Sequence, residues 1–73
     1  MTEPEMHWVE SSNIEKIGYE AETQDLYVGF KSGPPIYIYE GVPQSTYDEL
    51  MSSPSKGSYL SREIKPTYHF RTQ

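Results

Sequence analysis

Tyr37-Ile38-Tyr39-Glu40-Gly41-Val42-Pro43 reads as a strand that stops at a glycine and passes straight into a helix. Successive strand side chains point to opposite faces, so Tyr37 and Tyr39 share one side and Ile36 and Ile38 the other. Both sides are apolar. That predicts helices against one face and partial cover over the other, from the Trp8-Val9 segment or from a partner. Gly41 ends the strand, and Pro43 suits the first turn of a helix, where its missing N–H has no intrahelical acceptor to lose. Beyond it, Tyr47, Leu50 and Met51 recur at helical spacing, with Asp48 and Glu49 left for water.

Upstream, Ile14 to Glu20 mixes β-branched and aromatic residues with charges and runs into the turn-prone Ala21-Glu22-Thr23-Gln24-Asp25, the pattern of a first strand. Leu26 to Lys31 makes a second, with Leu26, Val28 and Phe30 on one face and Tyr27 on the other. Ser32-Gly33-Pro34-Pro35 is the turn between it and the strand over residues 36–40, since prolines cannot continue a ladder. Downstream, Ser52-Ser53-Pro54 breaks the first helix. Ser55 can cap a second through Lys56, Gly57 and Ser58, with Leu60 and Ile64 a turn apart and Pro66 as its stop. Tyr68 to Arg71 is apolar enough to pack back as an extended tail or short edge strand.

The order strand, strand, strand, helix, helix with tight connections predicts an α+β domain, a three-stranded antiparallel β-meander followed by two short α-helices packed on one face. Residues 1–6 are too polar to pack and are expected as a disordered tail, residues 7–70 as a single domain, and residues 71–73 as a frayed C-terminus.

A chain of 73 residues without cysteine has one small core and no disulfide or thiolate–metal staple. Self-association, up to an obligate homodimer hiding the two-sided third strand, is one way to add to it. Nothing at the N-terminus has the make-up of a secretory signal, and no apolar run spans a bilayer, so the expected location is the cytoplasm and not a membrane. The formal charge of −5 is unevenly placed. The first 25 residues hold seven acids against Lys16 alone, and residues 26–52 hold three against Lys31. Residues 53–73 reverse the balance, with Lys56, Arg62, Lys65 and Arg71 against Glu63. Any polyanion contact is therefore expected in the C-terminal third.

Five short blocks occur in a telling order: Ser11-Ser12-Asn13-Ile14, Leu26-Tyr27-Val28-x-Phe30, Tyr37-x-Tyr39, Gly41-Val42-Pro43 and Ser55-Lys56-Gly57-x-Tyr59. Together they resemble the KTSC domain over roughly residues 8–66. That module is found at the C-terminus of some lysyl-tRNA synthetases and as free-standing bacterial or phage proteins. The resemblance implies no activity, cofactor or catalytic residue; its company with a tRNA synthetase points towards RNA by analogy only. Family members often carry a polar residue between the two tyrosines, where this chain has Ile38.

The residues that carry chemistry are few. Leu26-Tyr27-Val28-Gly29 imitates the first strand of an RNA-recognition domain, but the matching basic-aromatic strand is missing and another strand precedes it. Ser55-Lys56-Gly57-Ser58 at a helix start offers backbone N–H groups and a lysine of the kind that hold a phosphate, with Arg62 and Lys65 following within two turns. Tyr37, Tyr39 and Tyr59 can stack bases or grip a peptide, although paired aromatics on a strand are ordinarily core. His7 and His69 have no metal-ligand spacing, and no serine stands in a nucleophile arrangement, so neither a cofactor nor a metal is expected. The sequence reads as a non-enzymatic interaction module that binds a protein, ranked first because of the net acidity, or RNA. The contact residues are Lys56, Gly57, Tyr59, Arg62 and Lys65 with Tyr37 and Tyr39. The competing class is a small enzyme or the regulatory subunit of one.

Overall fold

The computed structural model describes residues 4–73, and the three strands predicted from the sequence form the centre of a five-stranded sheet. β1 (Met6–Trp8), β2 (Ile14–Glu20), β3 (Asp25–Phe30), β4 (Gly33–Tyr39) and β5 (Phe70–Thr72) follow one another across it in chain order, every pair antiparallel. The three-stranded meander is thus corrected to five strands. Both additions are three residues long: β5 bears out the edge strand that the apolar Tyr68 to Arg71 segment allowed, whereas β1 is set by its pairing with β2 and has no pattern of its own. Part of the expected tail is one of them: residues 1–3 lie outside the described residues, but Met6 opens β1. The expected fraying at residues 71–73 is corrected too, because Arg71 and Thr72 pair with Ile38 and Tyr37, and the Gln73 N–H donates to the Ile36 carbonyl (3.0 Å).

The prolines also lie elsewhere than expected. The turn is Lys31-Ser32, and β4 begins at Gly33, whose φ of 107° only glycine adopts readily. Pro34 and Pro35 fall where the register between Val28–Tyr37 and Phe30–Gly33 slips, so the ladder asks no N–H of them. A second bulge, between Ile14 and Lys16, bends β2 against the same end of β3.

α1 (Gln44–Ser52) starts just after Pro43, which takes the capping position itself and receives the Tyr47 N–H (3.2 Å). α2 (Lys56–Tyr59) is capped by Ser55 and runs directly into a π-helical turn over Leu60–Ile64, closed by the Lys65 N–H on the Leu60 carbonyl (2.9 Å). Leu50, Leu60 and Ile64 bury against Ile14, Ile17, Leu26, Val28 and Tyr39, so both helices cover one face of the sheet. Tyr39 is 2% exposed and belongs to that core. Ile38 points the other way yet is only 4% exposed, flanked across the strands by Tyr27 and Arg71. Trp8 does not cover it: two strands lie between β1 and β4, and Trp8 is 71% exposed with the Lys16 ammonium over its ring. No helix among the described residues is long and apolar enough to cross a membrane.

The junction after β4 is held from three sides. Gly41 (φ 73°) turns the chain, the fully buried Val42 donates its N–H to the Gln24 carbonyl (2.9 Å), and its own carbonyl accepts from the Tyr19 hydroxyl (2.5 Å). The Tyr19 ring stacks on Tyr47 of α1 at 4.7 Å. Replacing Tyr19 with Phe keeps the ring and removes the hydrogen bond. Urea denaturation should show a loss of about 1 kcal/mol with an unchanged m-value.

Candidate functional site

Two of the sequence blocks meet in space. Ser11 Oγ accepts the N–H groups of Asn13 (3.4 Å) and Ile14 (3.3 Å) and gives its own proton to Asn13 Oδ1 (3.2 Å), which folds Ser11–Asn13 into a tight polar turn. The start of α2 lies directly on it: a Cβ on Gly57 would stand 2.6 Å from Asn13 Oδ1. Glycine is required there for close approach. The tip of the β3–β4 hairpin joins the same turn through the Lys31 N–H and the Asn13 carbonyl (2.9 Å).

Between this turn, the hairpin tip and the end of the π-helical turn lies a cleft of about 520 Å³, lined by Ser12, Asn13, Phe30, Lys31, Ser32, Tyr37, Tyr39 and Lys65. Its floor is aromatic. Phe30 meets Tyr37 edge-on at 5.3 Å, and Tyr37 and Tyr39 both touch Phe70, which is 54% exposed, at 5.2 and 5.7 Å. Burial raises the Tyr39 phenol above its ordinary pKa, with the Tyr37 phenol adding to the rise. Although almost wholly buried, Tyr39 is one of the residues lining the cleft.

The wall is cationic. Among the described residues no carboxylate lines the cleft, while Lys31 and Lys65 both do. The other cations are engaged elsewhere: Arg62 with Glu63 (3.1 Å), Arg71 with Glu40 (2.6 Å) and Asp25 (3.1 Å), Lys56 with the Ser53 carbonyl (3.2 Å), and Lys16 over Trp8. Lys65 rests on the face of Phe30, 5.5 Å from the ring centre. Among the described residues Lys31 and Lys65 have no ion pair.

The seven residues singled out from the sequence are therefore divided. Lys65, Tyr37 and Tyr39 share the cleft. Gly57 is a packing contact, and Lys56 holds the end of α1. Tyr59 lines a different, acidic groove with Asp48 and Glu49, where its hydroxyl donates to Glu49 (2.8 Å), and Arg62 sits against its ring. Sequence reading missed Phe30, Lys31, Ser12, Asn13 and Phe70. Only Lys31, alone in its acidic stretch, carried any charge signal. His7 in β1 and His69 beside β5 stand at opposite edges of the sheet, and no group of metal-ligating side chains occurs among the described residues.

A five-stranded antiparallel sheet carrying two helices on one face, with a Ser-Asn turn pressed on a helix-start glycine, defines a small α+β module. The profile of the KTSC domain matches residues 10–68, and the chain belongs to that family. A crystal structure of a KTSC domain protein from Yersinia pestis superposes with a TM-score of 0.87 at 33% identity, covering 94% of this chain and 96% of that one. A lysine–tRNA ligase of Nostoc punctiforme is 39% identical over 61 residues, 84% of this chain but 11% of the ligase. This chain thus spans about a ninth of the ligase it matches. A protein of Tsukamurella paurometabola is 36% identical over 63 residues, 86% of this chain and 92% of its own length.

Two outcomes test the site's construction. Gly57→Ala should destabilise by about 1–3 kcal/mol in urea denaturation, because overpacking outweighs the helix propensity gained. A stability equal to or above that of the parent would contradict the close approach. The hydrogen bond to Glu49, reinforced by desolvation, pushes the Tyr59 phenol from 10.0 up to about 12. The fold favours its protonated form, so this contribution is complete below pH 10.0 and is lost as pH rises through about 12. In a phenolate absorbance titration Tyr59→Phe should remove a late-ionising group; an unchanged late phase would count against the contact.

Proposed function

We propose that this domain is a non-enzymatic, cytoplasmic interaction module that contacts single-stranded RNA in the cleft between Lys31 and Lys65. The observation that carries the reading is the pairing pattern of the cations. The protein is acidic overall, yet the two lysines facing the aromatic floor are free of carboxylates, so the local field favours an anion where the net charge does not. Rings beside unpaired lysines are how proteins hold single strands, the rings supplying stacking of about 1–3 kcal/mol per base and the lysines tracking the phosphates. The exposed Phe70, touching both cleft tyrosines, extends that floor to the sheet edge. The name of the matched ligases includes a tRNA, which agrees with this direction.

The geometry supports RNA over the protein partner that net acidity suggested, because the acidic groove at Asp48 and Glu49 is separate from the cleft. The test is fluorescence anisotropy with a labelled unstructured oligoribonucleotide across a salt series. Single-strand binding should weaken with a log–log slope of about −0.7 per phosphate contacted, and Lys65→Ala or Lys31→Ala should each reduce the slope by about that amount. Lys16→Ala, on the far face of the sheet, should leave it unchanged. Absence of binding at low salt, or Lys65-dependent binding of an acidic peptide in its place, would overturn the RNA reading.

A further inference from the structure

The side chains facing the cleft are not neutral as to which base could lie there. Lys31 and Lys65 can only donate hydrogen bonds. Asn13 ordinarily offers an acceptor oxygen and two donors, but here that oxygen takes the Ser11 proton and lies against Gly57. Ser11 Oγ receives two backbone N–H groups and so must direct its single proton to Asn13 Oδ1. That fixes the amide, with Oδ1 turned to Ser11 and Gly57, and leaves Nδ2 without a hydrogen-bond partner among the described residues. The Asn13 carbonyl is also occupied, by the Lys31 N–H. The remaining polar groups in the wall are the hydroxyls of Ser12, Ser32, Tyr37 and Tyr39, which donate or accept as required. Among the described residues, the side-chain groups of fixed sense left open along the cleft, those of Lys31, Lys65 and Asn13 Nδ2, are all donors.

We infer that the cleft prefers keto bases, whose edges present carbonyl acceptors, over amino bases, and that Asn13 is the residue that sets this preference. Uracil offers carbonyl oxygens, and guanine offers O6 and N7. Where uracil has O4 and guanine O6, adenine and cytosine carry an amino donor that the cleft's donors cannot satisfy, which leaves them ring nitrogens and the cytosine O2 as acceptors. A free asparagine would read adenine bidentately; one whose oxygen is held by Ser11 does not. The inference rests on the RNA reading above and assigns the base class that reading leaves open.

The experiment compares labelled oligouridylate, oligoadenylate and oligocytidylate of equal length at low salt, against the parent protein and Asn13→Asp. Oligouridylate should bind about fivefold or more tighter than the other two, the lower end of what one good base-edge contact discriminates. The aspartate keeps an oxygen for Ser11 and exchanges Nδ2 for an acceptor, so it should weaken all three ligands but abolish the ratio between them. Circular dichroism melting reports whether the variant folds. If it does not, the Asn13 side-chain amide resonances of the parent protein should shift on adding oligouridylate and not on adding oligoadenylate. Equal binding of the three oligomers with a Lys65-dependent salt slope would overturn the base preference and leave the RNA reading standing. Binding of none would remove both, and tighter binding of oligoadenylate or oligocytidylate would overturn the preference outright.

Discussion

The structure turns on Val42. Its side chain is fully buried, its N–H reaches back to the β2–β3 turn at Gln24, and its carbonyl receives the Tyr19 hydroxyl. One residue thereby closes the space between the hairpin and the start of α1, and satisfies both of its backbone groups where water has little access. Tyr19 then stacks on Tyr47, so the same contact fixes the direction of the helix over the sheet. Leu50, on α1, is fully buried in the core.

From that corner the cleft follows by geometry. The bulges in β2 and β4 bend the other end of the sheet, and the Lys31-Ser32 tip curls towards the Ser11–Asn13 turn. The absence of a side chain at Gly57 lets α2 settle on that turn, and the π-helical step brings Lys65 over Phe30. A π-helical turn inserts one extra residue, which rotates whatever follows it, and such turns recur at functional sites. An ordinary α-helical register at Leu60–Ile64 would aim Lys65 elsewhere.

Electrostatics separates this surface from the rest of the molecule. Arg71 spans Glu40 and Asp25 on the face away from the helices, with those hydrogen bonds raising its already high pKa, and Arg62 is spent on Glu63. Exposed pairs of this kind contribute little to stability, but they cancel charge locally. Lys31 and Lys65 are left as the cations over the aromatic floor.

Much of this could be read from the chain. The alternation in Leu26-Tyr27-Val28 and in Tyr37 to Tyr39, the break at Gly41 and the helical spacing of Tyr47, Leu50 and Met51 are local, so periodicity shows the central strands and α1 directly. Of the outer strands, only β5 was foreshadowed, as the short edge strand that the apolar Tyr68 to Arg71 segment allowed. Met6–Trp8 and Phe70–Thr72 are too short for alternation to show, and they pair because β2 and β4 offer them open edges. The cleft was half legible: Lys65, Tyr37 and Tyr39 stood out by type, whereas Lys56, Arg62 and Tyr59 stood out equally and proved to be engaged elsewhere. Residue type and spacing state what a side chain can do. Whether it is free to do so depends on neighbours distant in sequence, as when Ser11 occupies the oxygen of Asn13 and a glycine 44 positions further on lets the helix press against both.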